Sequence, residues 1–141
     1  MQPADDIKAL VRRHIEEGFN RGDWTVCETT LADDYTARYG AEGKANVGRD
    51  HYVMVCRMLR HSFPDVGITI EDLVVQGDKV VNRYIERGTL TGETFLGIAP
   101  AGQRYEKPGI TVYRVADGRL AESWGVEDTL GWFRQLGKYT D

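Results

Sequence analysis

The sequence predicts an α+β fold, with helices first, a mostly antiparallel sheet after them and a short terminal helix. Two patterns and their order carry this. Up to about Leu59 the apolar residues recur at spacings of three and four, the helical period. From Ile68 onward the period falls to two, and β-branched and aromatic residues accumulate. Helices followed by a meandering sheet exclude an alternating βαβ architecture. The 141 residues, with 41% hydrophobic and 28% charged side chains, suit one globular domain spanning 1–141.

Ile7, Leu10, Val11, Ile15 and Phe19 form one apolar face on a helix from about Asp5 to Asn20. Asn20-Arg21-Gly22 stops it, and Asp23 can cap a second short helix carrying Trp24, Cys27 and Leu31. From Tyr35 to Asn46 the periodicity fades, and Gly40, Gly43 and Gly48 indicate loop. Asp50 can cap a third helix through Leu59, closed by Pro64. Strands are expected over Ile68 to Val75, Lys79 to Thr89, Arg104 to Val115 and Arg119 to Val126. Gly92 to Gly102 is a long connection. Asp117-Gly118 is a two-residue hairpin signal, because a type I′ turn needs positive φ at both central positions. Asp128 then caps a last helix that ends at Gly137.

Composition narrows the function classes. Eighteen Lys and Arg against 22 Asp and Glu give a formal charge of -4, which offers no field for a phosphate backbone or an anionic membrane surface. Neither nucleic acid nor membrane is therefore an expected partner. The two cysteines, Cys27 and Cys56, lie among apolar neighbours and suit buried thiols in a reducing, cytoplasmic setting. The N-terminus lacks the basic and apolar regions of a secretory signal. His14, His51 and His61 lack metal-ligand spacing, and no glycine-rich nucleotide loop occurs, so no metal or other cofactor is expected. Ser62 and Ser123 are the only serines, and neither lies in a nucleophile elbow.

The second half carries a series of short matches in order. They are Phe63-Pro64-Asp65, Glu71-Asp72-Leu73, Gly77-Asp78-Lys79-Val80-Val81, Gly88-Thr89 and Phe95-Leu96-Gly97-Ile98-Ala99-Pro100. Ala101-Gly102-Gln103-Arg104, Tyr113-Arg114-Val115, Asp117-Gly118-Arg119-Leu120, Leu130-Gly131 and Gln135-Leu136-Gly137 continue the series. Taken together, Phe63 to Gly137 resembles the SnoaL-like polyketide cyclase family of the NTF2-like superfamily. The resemblance implies a cone-shaped curved sheet packed against the N-terminal helices, a ligand pocket at its wide end, and a homodimer formed through the sheet. It also implies aldol-type ring closure by a last-strand carboxylate, three residues before the aspartate that opens the terminal helix. That position is Gly125 here. The pocket histidine of the same enzymes falls at about Thr111, and the His or Asn after the second helix at Arg38.

Chemistry next to a carbonyl needs a base at the acidic carbon and a donor for the enolate oxygen. Candidate catalytic residues are Asp128, Glu86, Arg38 and Tyr39. Asp128 is also a helix cap. Glu86 shares a strand face with Asn82 and Tyr84, which suits either a polar cavity or a solvated or partner-facing surface. Period two sets Ala121, Ser123 and Gly125 on one face of the last strand, and Glu122, Trp124 and Val126 on the other. Tyr35, Tyr52, Tyr84, Thr111, Tyr113 and Trp124 complete the set as substrate-binding candidates, although the tryptophans also suit core or interface. The expectation is a cyclase-like enzyme of secondary metabolism, such as antibiotic biosynthesis, acting on an apolar oxygenated small molecule. A hydroxylase-like or isomerase/dehydratase relative and a non-catalytic binding protein are the alternatives.

Overall fold

The computed structural model describes residues 3–39 and 44–139. Helix α1 (Ala4–Arg12) buries Ile7 and Val11. Over Arg13–Phe19 the helix widens to a π-type turn, in which Asn20 N donates to Ile15 O at 2.8 Å. Along this turn His14, Ile15, Gly18 and Phe19 are all buried. Helix α2 (Trp24–Thr30) is capped by Asp23, which accepts from Thr25 N. Helix α3 (Arg49–Ser62) begins one residue before the expected cap. Gly48, at φ 97, is its N-cap, and Asp50 sits in the first turn.

Among the described residues, six strands form one sheet in place of the four expected. They are β1 (Leu31–Tyr39), β2 (Lys44–Val47), β3 (Gly67–Gln76), β4 (Lys79–Leu90), β5 (Gln103–Ala116) and β6 (Arg119–Glu127), in the order β2-β1-β6-β5-β4-β3. Only the β1–β6 pair is parallel. The segment expected as loop from Tyr35 to Asn46 is largely strand, apart from 40–43, which lie outside the described residues. Two local features hide it. A register shift between Leu31 and Thr36 breaks the alternation of β1, and β2 is a four-residue edge strand with no fully buried side chain. Leu31 opens β1 and does not close α2.

The later strands follow their pleat. Along β4 the residues Val80, Asn82, Tyr84, Glu86, Gly88 and Leu90 are buried, and their neighbours are more exposed. Asp117 (φ 52) and Gly118 (φ 74) make the expected tight turn. Bulges in β3, at Glu71, and in β6, at Ala121, add curvature. The curved sheet takes α1 against Val80, Tyr113, Val115 and Leu120 in one apolar cluster. A second cluster joins Phe19, Cys56, Phe63, Leu90, Tyr105, Trp132 and Leu136. It is closed by helix α4 (Thr129–Leu136), which Asp128 caps and the left-handed Gly137 ends. The space between these two clusters is the cavity.

Candidate functional site

The inner face of the sheet is ordered in transverse rows, because cross-strand partners share a face. Tyr39, Gly125, Thr111 and Asn82 make one row from β1 to β4. Glu127, Gly109 and Tyr84 make the next, and Lys107 with Glu86 a third. The π-type turn Arg13–Phe19, helix α3 and the segment 93–96 cover these rows, leaving a cavity of about 510 Å³. Most of its wall is apolar or aromatic, from Phe19, Tyr35, Tyr52, Phe95, Tyr113 and Trp132 among others. A groove of about 590 Å³ on the outer side, around Asp33, Arg114, Arg119 and Glu122, is open and polar, and in it Arg114 pairs with Glu122 and Arg119 with Asp33. It lacks the enclosed apolar wall that an organic ligand needs.

Three charged groups meet at the cavity wall. Lys107 is 3% exposed, and its Nζ lies 3.1 Å from Glu86 Oε2 and 3.2 Å from Glu127 Oε2. The same ammonium sits 3.6 Å from the centroid of the Trp132 indole. Tyr105 donates to Glu86 Oε2 at 2.7 Å, and Tyr84 donates to Glu127 Oε2 at 3.3 Å. The Tyr84 ring reaches across β5 because its neighbour there is Gly109. A Cβ at that position would overlap the Tyr84 hydroxyl. All four contacts fall on the Oε2 atoms, and the Oε1 atoms carry none of them. The Glu86 side chain is nearly buried, whereas Glu127 keeps a quarter of its side chain accessible. Two carboxylates thus share one buried ammonium at the cavity wall.

The tyrosines act as donors. Burial pushes the hydroxyls of Tyr35, Tyr39, Tyr52, Tyr84, Tyr105 and Tyr113 well above the ordinary phenol range, so each stays protonated near neutral pH. Tyr39 keeps 38% of its surface accessible, because that surface faces the cavity opening. Its ring lies over Gly125, where a Cβ would stand 3.3 Å from it and 3.5 Å from Thr111 Oγ1. Aromatic ring thus fills the space that the resemblance assigns to a catalytic carboxylate. Cys56 also lines the cavity, with its thiol pushed up to about 12 by burial, so it is a protonated wall group and no nucleophile.

The structure brings Glu86, Tyr39, Tyr35, Tyr52, Tyr84, Thr111 and Tyr113 together around the cavity. It places three other candidates elsewhere. Arg38 follows the β1 pleat outward, between the inward Ala37 and Tyr39, and its Nε donates to Glu122 Oε2 at 3.0 Å. Arg38 and Arg114 together hold the Glu122 carboxyl below its ordinary range. Trp124 is on the outer face with Glu122, as strand alternation requires. Asp128 is exposed, and its Oδ1 accepts from Gly131 N at 2.9 Å as the cap of α4. Lys107 and Glu127 are cavity residues that sequence reasoning missed. The alternation Ser123, Gly125, Glu127 was the signal for the second.

Comparison with solved structures finds the same fold at full length. TsrD from Streptomyces laurentii is 28% identical, with a TM-score of 0.85 over 99% of this chain and 100% of its own. IdmH from Streptomyces antibioticus, a proposed polyketide cyclase, is 32% identical, with a TM-score of 0.78 over 97% of this chain and 99% of its own. AclR from Streptomyces galilaeus, a proposed hydroxylase, is 26% identical, with a TM-score of 0.85 over 99% of this chain and 85% of its own. Comparison with curated proteins finds no match. The profile of the SnoaL-like polyketide cyclases matches residues 9–136. With that span of the chain matched, and the cone and its tyrosine-lined cavity in place, the protein belongs to the SnoaL-like polyketide cyclase family.

Proposed function

We propose that the protein is a cyclase-type enzyme that closes a ring in an apolar, carbonyl-bearing small molecule held in the cone. The observation that carries this reading is the Glu86–Lys107–Glu127 cluster at the wall of a largely apolar and aromatic cavity. Glu127 is the more accessible carboxylate, and its Oε1 is the base that takes a proton from carbon next to a carbonyl. The enolate oxygen accepts a hydrogen bond from Tyr39, because the Tyr84 hydroxyl already donates to Glu127. The enolate carbon attacks a second carbonyl carbon of the same molecule, forming the new C–C bond. The proton held on Glu127 then returns to the resulting alkoxide. Lys107 fixes both carboxylates, and its charge favours the anionic intermediate. Folding the chain against the aromatic wall contributes the orientation an intramolecular closure needs.

Gly125 supports a second reading, a non-catalytic carrier, because the family's last-strand carboxylate is absent there. The likeness to AclR, a proposed hydroxylase, keeps a different reaction in the same cone as another alternative. Incubation with aromatic polyketones that carry a free α-carbon, followed by chromatography, separates these readings. Cyclised product supports the enzyme. Saturable binding without turnover supports the carrier and contradicts the mechanism above.

The same reading includes a homodimer through the outer face. Ile110 and Val126, cross-strand partners, stand exposed there beside Trp124. The flanking pairs Arg83–Asp72 and Arg87–Glu106 give that face a charged rim.

A further inference from the structure

Asn82 lies in the middle of the sheet, four residues before Glu86 on the inner face of β4. It is 1% exposed, lines the cavity, and its Oδ1 has no hydrogen-bond partner. Among the described residues, no hydrogen bond reaches its Nδ2 either. As oriented, the carbonyl oxygen of the amide is therefore a buried acceptor without a donor. Its cross-strand neighbours are Thr111 on β5 and Leu73 on β3, so the sheet itself provides only one short hydroxyl beside it. Buried amides without partners are rare, because each loses its water and gains nothing in return. Leucine at this position would fill the same space with no such loss.

The surroundings show what the amide waits for. Ser123 Oγ, in the adjacent row, already accepts from Tyr35 at 2.7 Å. Thr111 is buried at 8% exposure. No full charge belongs to this row, whereas Lys107, Glu86 and Glu127 lie one and two rows away. An ionised ligand group has no counter-charge here, but a hydroxyl or enol does well, since it can donate to Oδ1 and accept from Nδ2. Four residue steps along the strand take Asn82 to Glu86, about 13 Å of backbone. A ligand that touches both ends is thus extended, on the scale of a two- or three-ring skeleton.

We propose that Asn82 is a specificity residue, an amide held unpaired to recognise a neutral hydroxyl at the end of an extended substrate away from the Lys107 cluster. This rests on the cavity being the ligand site, as in the reading above. The probes are 2-hydroxyanthraquinone and unsubstituted anthraquinone, titrated against the wild type and Asn82→Leu by quenching of tryptophan fluorescence. The wild type binds the hydroxylated quinone at least tenfold more tightly. Asn82→Leu binds both alike, and it melts no lower than the wild type without ligand. An unchanged hydroxyl preference in Asn82→Leu, or a large fall in its melting temperature, overturns the proposal and leaves the cavity reading intact. Failure of both quinones to bind the wild type overturns the cavity reading, and this proposal with it.

Discussion

The Lys107 ammonium lies 3.6 Å from the centroid of the Trp132 indole and 3.1 Å from Glu86 Oε2, so the first residue of α4's buried face and the middle of β4 are joined through one cation. Trp132 is held there by Phe63, Phe95 and Tyr105, with ring centroids 5.1 to 6.0 Å away. The charge is fixed by packing as much as by its carboxylate partners. Lys107→Met removes the cation and leaves both carboxylates in place. Breaking a buried pair in this way costs about 3–5 kcal/mol. Calorimetric melting of Lys107→Met is expected to show that loss, and the added change Glu86→Gln should recover a large part of it.

Gly109 and Tyr84 form a second coupled pair. The Tyr84 ring crosses β5 only because position 109 has no side chain. Gly109→Ala forces the ring aside, at the cost of about 1–3 kcal/mol for overpacking. It also breaks the bond to Glu127. In a double-mutant cycle with Tyr84→Leu, the two losses should be clearly less than additive, because the second change removes what the new methyl group meets.

His14 predicts how stability depends on pH. The ring is fully buried on the π-type turn, with Tyr52 and Tyr113 facing it at 6.1 and 6.3 Å between centroids. Thr30 Oγ1 donates to Val26 O, so at 3.4 Å it can only accept from His14 Nδ1, and Nε2 is left without a partner. Burial lowers the imidazole from 6.5 to about 4. Above pH 6.5 neither state holds this proton. As the pH falls from 6.5 to 4 the unfolded chain takes up a proton that the folded chain refuses, so stability drops. The full effect is about 3 kcal/mol. Denaturant titrations across that window should show the drop, and His14→Leu should reduce proton uptake on unfolding by about one.

The proposed homodimer is tested at Ile110 and Val126. Light scattering of the wild type should give twice the chain mass of 15.9 kDa. Ile110→Lys, at an exposed strand position, should give the chain mass with an unchanged circular dichroism spectrum. A monomeric wild type contradicts the proposal.

Legibility in the sequence followed the locality of the forces. Strands β4 and β5 could be read because each buries alternate residues. β3 could be read because its half-buried Ile68, Ile70, Leu73 and Val75 are β-branched or aliphatic residues between turn signals, and β6 because the Asp117-Gly118 turn requires its own chemistry. β1 could not, because its bulge breaks the alternation and its parallel partner is far along the chain. Glu86 was legible from its face companions Asn82 and Tyr84. Glu127 was one step beyond the strand end drawn at Val126, on the face that Ser123 and Gly125 define. Lys107 gave no signal, since a lysine in a strand ordinarily points to water. Its burial depends on Trp132, Glu86 and Glu127, three residues from two strands and a helix. Arg38 and Trp124 were misplaced for a related reason. Aromatic and cationic residues suit a site chemically, but pleat geometry decides which face they take.

Solvent deuterium incorporation tests the central claim most directly. With 2-tetralone in D₂O, followed by proton NMR, the account predicts that the protein accelerates exchange of the protons next to the carbonyl. Glu127→Gln should lose at least a hundredfold of that acceleration, the order of a general base's contribution, and Asp128→Asn should retain it. Exchange no faster than in buffer, or equal rates for Glu127→Gln and the wild type, would contradict the account.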